Sequence, residues 1–493
     1  MKALLIILLG LYVNASYAQE LDTTKVASRT KELDEVVVKA SYLSRGDDHI
    51  IAMPTKEQRK HAVTGYDLLN NLMIPGISVD RLKGIVATPA GNATLYIDGR
   101  QVDFREIQSL RPKDISRVEF YDIPTGKYSK DAYSINIVMK PFNNGGYTQL
   151  DARQGVGYLN GDYNLISKFM TGSKSLNLWA GHSVENPKST LTEHEVFNFP
   201  SYQLNRLQSY HNAGNKSLED YVQASISNRG KKYIWMLRGG LVWNSKRNGI
   251  NNGITNFWQT GVALDNGSIL SENRRDKSFR QSVYYYGLHN LSNTKSLDYV
   301  IDAYYSRNNY NRLYNENKAS YHSIVKENYY NAKINANYSM SFKHRNRLGI
   351  SLFEFLKISD SEYTGTSTYN QKLRSSESIL FADYSQRIGK FFFDINPGLS
   401  FLTYRLSGMA SINHLTPRFQ SRSSFMLSKT QQLQFTFALG NTYPRINTIN
   451  NVEQQIDPVV ILKGNPDMDN SILLSPRISY MLNVSKFALQ SEF

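Results

Sequence analysis

The 493-residue sequence contains no cysteine. This absence excludes disulfide scaffolds, zinc or iron–sulfur sites with cysteine ligands, cysteine nucleophiles and a lipidated N-terminal cysteine. Beyond the N-terminus there is also no run of 18 or more apolar residues, so no transmembrane helix is predicted.

Enzyme and metal-site motifs are equally scarce. Gly155-Val156-Gly157 lacks the rest of a dinucleotide-binding fingerprint, and His194-Glu195 is followed by Asn198 where a zinc-protease helix needs its second histidine. No serine lies in a nucleophile-elbow context. We therefore predict no catalytic residue, no metal site and no cofactor, and we expect that the protein is not an enzyme.

Basic residues outnumber acidic ones, 57 to 42, which gives a formal net charge of +15. The basic residues are spread through turns and loops and no aromatic RNA-binding motif occurs, so no nucleic-acid partner is predicted. Weak attraction to anionic lipid head groups or anionic ligands is our interpretation of the charge. The aromatic content is 12%, with 33 tyrosines, and it indicates surfaces that need a ring with a polar tip.

The N-terminus predicts export. Lys2 precedes an apolar run of about 11 residues, and small residues follow at Ser16 and Ala18, the pattern of a secretory signal peptide over residues 1–18. The alternative is a membrane anchor, but a helix of about 11 residues cannot cross a core of ~30 Å. Residues 19–32 are polar and are predicted to be a periplasmic linker.

Residues 33–142 predict a compact mixed α/β domain. The apolar spacing of residues 66–72 indicates a short helix, and Pro112 indicates the start of a helical turn. Strands are predicted at residues 36–38, 93–97, 117–121 and 135–139. Asp98-Gly99 is interpreted as a hairpin turn with no further role.

Residues 143–493 predict long alternating β-strands. Leu433, Phe435 and Phe437 alternate with Gln434 and Thr436, for example, which is the pattern of a strand with lipid on one side and a water-filled lumen on the other. Soluble sandwiches and propellers also alternate, but their strands are typically about 5–6 residues long. These runs are of the length that crosses a bilayer at a tilt, about 9–11 residues or more.

The connections between these strands alternate between short and long. Long polar connectors are expected at residues 183–217, 245–279 and 443–471, and short turns at residues 171–174, 228–231, 293–295, 344–346, 388–390 and 428–430. This asymmetry is typical of outer-membrane barrels. Counting by these turns gives about fourteen strands and the beginning of another. Because an open barrel edge is costly in lipid, we expect a C-terminally truncated chain; the alternative is that Phe493 ends a genuine last strand.

Several motifs, in order, resemble the plug and barrel of TonB-dependent outer-membrane receptors, especially those of Bacteroidetes. They lie at residues 33–40, 67–72 with 75–79, 95–100, 110–119, 134–140 and 464–468. The sequence departs from the family in three ways: no small β-sandwich precedes the plug, residues 121–128 are altered, and family barrels have about 22 strands.

The resemblance implies a membrane all-β fold, in which a large antiparallel transmembrane β-barrel holds an N-terminal α/β plug domain in its lumen. Residues 33–142 would be the plug and residues 143–493 the visible, incomplete barrel. It also implies a place in the cell outer membrane, contact with outer-membrane lipid, and energy-coupled uptake of a scarce, polar nutrient bound by extracellular loops and plug. The implied partner is TonB with its inner-membrane energising complex.

Two sets of candidate site residues follow. Asp34, Glu35, Val36, Val37 and Val38 form an extended segment that can pair edge-to-edge with a strand of TonB; the alternative is that residues 36–38 are simply the first strand of the plug. The candidate plug–barrel contacts, expected to face lumen carboxylates, are Arg81, Arg100, Arg111, Arg117 and Glu119. The alternative for this second set is solvated surface pairs worth about 0–1 kcal/mol.

Three functions remain open from the sequence. The first is a TonB-dependent receptor that imports an iron chelate, a vitamin-like cofactor, a glycan or a peptide. The second is a non-transporting outer-membrane barrel, or a degenerate receptor fragment, with a structural or surface-binding role. The third is an exported soluble β-rich binding protein.

Overall fold

The computed structural model describes residues 42–492 apart from 46–48, 82, 89–90, 123, 125–127, 129–130, 141–143, 231, 261, 343–345, 366–367, 429–430 and 485–486. Two parts are evident. Residues 42–140 form a small α/β domain, which we call the plug, and the remainder forms one large antiparallel sheet, which we call the wall. The predicted domain boundaries at residues 18, 32 and 142 lie outside the described residues and stay predictions.

The plug is built on a six-stranded sheet in the order β1-β2-β8-β9-β6-β7, and a three-stranded sheet of β3, β4 and β5 lies beside it. Only β6 and β9 run parallel among the described pairs of these sheets. The strands are β1 (Leu43–Arg45), β2 (Ile50–Ala52), β3 (Ser78–Asp80), β4 (Ile85–Thr88), β5 (Gly91–Asn92), β6 (Thr94–Ile97), β7 (Arg100–Gln101), β8 (Ile115–Tyr121) and β9 (Ser134–Met139). The helices are α1 (Lys56–Lys60), α2 (Gly65–Asn71) and α3 (Phe104–Gln108), with a 3₁₀ turn at Pro112–Asp114.

Local sequence signals explain the predicted elements of the plug. Helix α2 begins at a capping box, in which Thr64 accepts from the backbone N–H of Asp67 and Asp67 in return accepts from that of Thr64. Asp98 and Gly99 have φ values of 50° and 79°, the left-handed pair that a two-residue hairpin turn requires. The predicted helix, the predicted turn and the helical turn at Pro112 are confirmed.

The apolar core of the plug is complete within the plug. Leu68 and Leu69 of α2 pack with Ile107, Val118 and Ile135, among others, and every member of this core lies between Leu43 and Met139. The plug therefore packs most of its buried apolar side chains against one another, and the rings of Tyr96 and Tyr128 are buried outside this core.

The wall contains 16 strands. They are β10 (Asn144–Gln154), β11 (Leu159–Thr171), β12 (Lys174–Asn186), β13 (Lys188–Asn198), β14 (Gln203–Arg229), β15 (Tyr233–Gln259), β16 (Val262–Asn290), β17 (Lys295–Glu316), β18 (Ala319–Ser341), β19 (Arg347–Thr364), β20 (Thr368–Ile388), β21 (Phe391–Leu406), β22 (Ile412–Met426), β23 (Gln431–Thr442), β26 (Ser471–Val484) and β27 (Phe487–Glu492). They pair in chain order, except that β13 pairs only with β14 and β12 also pairs with β14. A folded segment between β23 and β26 contains α4 (Ile446–Ile449), β24 (Glu453–Gln455) and β25 (Ile461–Lys463).

The wall exposes its apolar side chains and buries its polar ones. On β21, Leu399 and Phe401 are 56% and 53% exposed, whereas Asp394, Asn396 and Ser400 are 1%, 2% and 0% exposed. A water-soluble sheet buries the opposite set, so the outer face of this sheet is suited to lipid and its inner face to a polar lumen.

The wall curves around the plug. Arg153 on β10, near one end of the strand order, donates to the carbonyl of Arg81 at 3.1 Å. Near the other end, Arg422 on β22 donates to the carbonyl of Pro124 at 3.2 Å. Because distant strands of one sheet meet the same small domain, the predicted fold, a large antiparallel transmembrane barrel with an α/β plug in its lumen, is confirmed. Among the described residues β10 and β27 do not pair with each other.

Two of the predicted long connectors are wrong. Residues 245–279 belong to strands β15 and β16, which continue as a paired hairpin to Gln259 and Val262. Residues 183–217 likewise contain β13 and the first part of β14. Past the apolar band both faces of such a hairpin meet water, so the alternation that marks a strand in the sequence disappears there. The predicted short turns at residues 171–174, 293–295 and 388–390 are confirmed by the strand ends; the other three include residues 231, 344–345 and 429–430, which lie outside the described residues.

No helix in the described part of the chain is both long and apolar enough to cross a membrane.

A charge on the outer face tests the lipid contact. Leu399→Arg places a cation in the middle of β21 and is expected to lower the free energy of unfolding by about 2–4 kcal/mol in a bilayer. The measurement is guanidinium unfolding in phosphatidylcholine liposomes, with heat-modifiable gel migration as a check of folding. The control is Asn273→Arg, at an exposed position in the extended hairpin. This variant is expected to change the free energy of unfolding by less than about 0.5 kcal/mol. Equal stability of both variants would contradict the lipid-facing assignment.

Candidate plug–barrel interface

The short helix α3 carries a deeply buried charged group of the interface. Asp103 caps the helix by accepting from the backbone N–H of Glu106 at 3.1 Å. Glu106 is only 2% exposed, so its carboxylate needs a charged or hydrogen-bonding partner. Capping thus fixes the place of two carboxylates, Asp103 and Glu106, side by side at the start of one short helix.

Arg238 on β15 joins these two carboxylates to the wall. Its Nη1 lies 3.0 Å from Oδ2 of Asp103 and 3.0 Å from Oε1 of Glu106. From the plug side, Arg100 also donates to Glu106, with Nη1 3.1 Å from Oε1. Glu106 is therefore held between one arginine of the plug and one of the wall.

Arg105, the residue before Glu106 on α3, contacts the neighbouring wall strand β14. Nη2 of Arg105 lies 2.8 Å from Oε1 of Glu219 on β14, and its guanidinium lies 3.8 Å from the centre of the Tyr221 ring. At the end of the helix, Gln108 donates to Asp151 of β10 at 2.7 Å. A helix of five residues is thus attached to three strands of the wall.

The hairpin turn before α3 forms a second contact with the wall. Asp98 pairs with Arg229 of β14, and the Tyr286 hydroxyl of β16 donates to the carbonyl of Gly99 at 3.3 Å. Burial raises the pKa of Asp98 above its ordinary value, and Arg229 opposes that shift. The interpretation of Asp98-Gly99 as a turn with no further role is therefore wrong.

On the opposite side, the wall contacts the plug mainly through backbone carbonyls. Arg422 donates to the carbonyls of Pro124 and Asp131, and Arg45 of the plug donates to Gln432 of β23 at 3.1 Å. The Asp131 side chain accepts within the plug from Thr94, Tyr96 and Ser134, and burial raises its pKa. Hydrogen bonds and ion pairs thus attach the plug on both sides.

The five predicted contact residues take different places. The carbonyl of Arg81 meets the wall, while its side chain pairs with Asp67 within the plug. Arg111 pairs with Asp114 and lies 3.9 Å from the ring centre of Tyr147 on β10.

The other three pair inside the plug. Arg100 pairs with Glu106 and joins the wall only through it. Arg117 pairs with Glu119 on β8, and Glu119 also accepts from Tyr121 and Asn136. Their described partners lie in the plug.

The carboxylates of the wall that were expected to face the plug accept side-chain hydrogen bonds from other wall residues. Asp394 accepts from Asn396 on its own strand, and Asp298 accepts from Asn337. Most described ion pairs across the interface have the reverse sense, with plug acids meeting wall arginines; the pair of Arg105 with Glu219 is the exception. The Asp103-x-x-Glu106 spacing was the available signal, since an acid at the N-cap with Glu three residues later marks a helix start.

A cavity of about 620 Å³ lies between the plug and strands β10–β12, β14 and β15. Arg100, Arg111 and Lys168 are among its lining residues. Among the described residues no group of three or more His, Asp or Glu side chains is arranged to hold a metal ion. The predicted TonB-contact residues Asp34, Glu35, Val36, Val37 and Val38 lie outside the described residues.

No family model matches the chain, and no curated protein matches it. Among solved structures, the ferric preacinetobactin receptor BauA of Acinetobacter baumannii is 8% identical, with a TM-score of 0.49 over 90% of this chain and 70% of that one. FpvA of P. aeruginosa bound to an iron–pyoverdine is 9% identical, with a TM-score of 0.47 over 91% and 61%. The siderophore receptor PiuA of Acinetobacter baumannii is 10% identical, with a TM-score of 0.46 over 88% and 70%.

The chain therefore spans 61–70% of the length of these three receptors. At such identities and TM-scores the likeness carries no argument about function, and the proposals below rest on the contacts of the chain itself.

Removing the shared arginine tests the attachment of α3. Arg238→Met keeps much of the side-chain bulk but leaves two carboxylates without their wall partner, so the plug–wall contact should weaken by about 1–3 kcal/mol. Hydrogen exchange is expected to become faster in residues 98–109 and to stay unchanged in β20–β23. The control is Arg81→Gln, which breaks a half-exposed pair within the plug and should cost less than about 1 kcal/mol. Unchanged protection of residues 98–109 in the Arg238 variant would contradict the assignment.

Proposed function

We propose that the protein is an outer-membrane receptor for the TonB-dependent uptake of a scarce, polar nutrient. The observation that carries this proposal is the combination of a plug with a self-contained apolar core and an attachment to the wall through ion pairs and hydrogen bonds. A plug that must move relative to the wall without unfolding needs an apolar core of its own, and a polar attachment can be broken and formed again.

The polar attachment also suits reversible movement. When α3 leaves the wall, water can enter and hydrate Asp103, Glu106 and Arg238, which recovers much of the solvation free energy that these charges lose on burial. Separating apolar surfaces offers no such compensation, because each Å² of apolar area exposed costs about 25 cal/mol. We therefore propose that a pull on the plug opens the interface at α3 and the Asp98-Gly99 turn.

The proposed point of traction is the segment Asp34, Glu35, Val36, Val37 and Val38. The three consecutive β-branched residues Val36, Val37 and Val38 favour a strand, which can add to a sheet edge of TonB through main-chain hydrogen bonds. The inner-membrane complex that energises TonB would supply the work.

The proposed ligand site lies among the extended hairpins of β14–β18 and the folded segment at residues 443–470. Arg206 on β14 is buried there, and its Nη1 lies 3.0 Å from Asp457 of the folded segment. Tyrosine, asparagine and arginine side chains in this region favour a polar ligand. The polar nutrients to test are an iron chelate, a vitamin-like cofactor, a glycan and a peptide.

A proline in the traction segment tests the proposal. Val37→Pro removes a main-chain donor from the strand that would pair with TonB, so uptake is expected to fall to the level of a TonB-deficient strain. Val37→Thr keeps the N–H and is the matched control, with uptake expected near the wild-type level. The measurements are accumulation of a labelled iron chelate, or growth on candidate nutrients, together with cross-linking to TonB.

The same experiment distinguishes the non-transporting alternative. Surface binding of the nutrient without accumulation, and without any effect of TonB or of Val37→Pro, would support a structural or surface-binding barrel and would contradict the uptake proposal.

A further inference from the structure

A group of basic side chains lies on the outer face of β14–β17, toward the extended hairpins. Lys216, Arg247 and Arg275 stand directly opposite one another on three adjacent strands. Lys277 and Arg307 lie on the same face, closer to the apolar band. All five are exposed, and in the described part of the chain none of them forms an ion pair or a side-chain hydrogen bond.

This arrangement is unfavourable without a bound anion. Like charges directly opposite in an antiparallel pair destabilise the sheet, and here three cations follow one another across the strands. Some other cations of the outer face have partners: Lys326 pairs with Glu362 at 3.1 Å and Lys372 with Asp360 at 2.9 Å. Arg374 and Arg405 also stand opposite each other on this face, but only on β14–β16 are three cations in register among the described residues, with two more close to them on β16 and β17.

Aromatic side chains lie directly below the basic group. Trp243 stacks on Phe279 with ring centres 5.1 Å apart, and both line a cavity of about 390 Å³ together with Lys277 and Arg307. The carboxylate of the nearby Asp220 contacts His182, with Oδ1 and Nδ1 2.7 Å apart. Indole and phenyl rings at this level are typical of the boundary between lipid head groups and acyl chains.

An apolar groove continues from the aromatic pair toward the middle of the band. Its floor is formed by small residues that are in register on neighbouring strands, Gly239, Ala303 and Ala332, with Val283 between the first two. Tyr305 and Tyr330, with ring centres 4.9 Å apart, border it. The groove has a volume of about 790 Å³.

The spacing fits one lipid molecule. Lys277 and Val283 are six residues apart on β16, which is about 20 Å along a strand. At a strand tilt of about 45° this is a depth of about 14 Å, close to half of a ~30 Å hydrocarbon core. A head group at the cations would thus place an acyl chain over the groove.

We propose that the outer face of β14–β18 is a binding site for a phosphorylated membrane lipid. Arg247, Arg275 and Lys277 bind the phosphate, since guanidinium groups suit its geometry. Trp243 and Phe279 contact the upper part of the acyl chain, and the groove around Gly239 holds its lower part. The site rests on the proposed membrane location, but it does not depend on TonB or on transport.

The test is native mass spectrometry of the purified full-length protein in detergent, titrated with dipalmitoyl phosphatidic acid. We expect one tightly retained molecule, and at least tenfold weaker binding of dipalmitoyl phosphatidylcholine, whose phosphate carries a compensating cation. Equal retention of both lipids would overturn the proposal. Equal affinity for inorganic phosphate would reveal an anion site without a lipid and would also overturn it.

Three variants separate the two halves of the site. Arg275→Gln combined with Lys277→Gln is expected to weaken phosphatidic acid binding at least tenfold. Lys372→Gln, on the outer face of β20 outside the proposed site and in an ion pair with Asp360, is the matched control and should leave binding unchanged. Gly239→Leu fills the groove, and a Cβ at Gly239 would meet only the Ser282 carbonyl oxygen, at 4.0 Å. It should weaken dipalmitoyl phosphatidic acid but not the dihexanoyl form.

Heat-modifiable migration confirms that each variant is folded before it is compared. An equal loss of binding in Lys372→Gln and in the double variant would overturn the proposal, because it would show a general charge effect. Loss of TonB-dependent uptake with intact lipid binding would contradict only the proposed function, so that the two proposals fail separately.

Discussion

The reversed polarity of the wall is the constraint on which the rest of the structure depends. Because the apolar side chains face outward, polar groups such as Asp394, Asn396 and Ser400 are left on the inner face, where they are buried and need partners. Neighbouring wall residues supply some of these partners and the plug supplies others. A sheet of this kind cannot be filled by an ordinary apolar core, so the domain in its lumen must present a polar surface to it.

The plug meets this requirement by separating two tasks. Most of its buried apolar side chains are enclosed in its own core, and the acidic side chains that pair with Arg238 and Arg229 of the wall lie on α3, at its N-cap and in the preceding turn. Cohesion of the plug and its attachment to the wall are thus independent. A change in one charged pair can alter the attachment without disturbing the core around Leu68 and Ile107.

Local features could be predicted from the sequence, and long-range pairings could not. The spacing of residues 66–72, the Asp98-Gly99 turn and the alternation on β21 each have a short-range physical cause, and all are observed. The pairing of Asp103 with Arg238 joins residues 135 positions apart, and nothing near either residue specifies the other. The hairpin beyond the apolar band was missed because water on both faces removes the alternation. The burial of Glu106 on α3 was missed because nothing in these five residues distinguishes a buried carboxylate from an exposed one.

The self-contained core of the plug also has a consequence for assembly. The plug precedes the wall in the chain, and it can bury its apolar side chains before any wall strand has formed. It can therefore fold first and act as a template, with the carboxylates of α3 and the Asp98 side chain marking where the arginines of β14 and β15 must settle. In this order the wall strands would assemble around a plug that is already folded. A strand in the wrong position would be destabilised, because it would leave a carboxylate of the plug without its arginine partner.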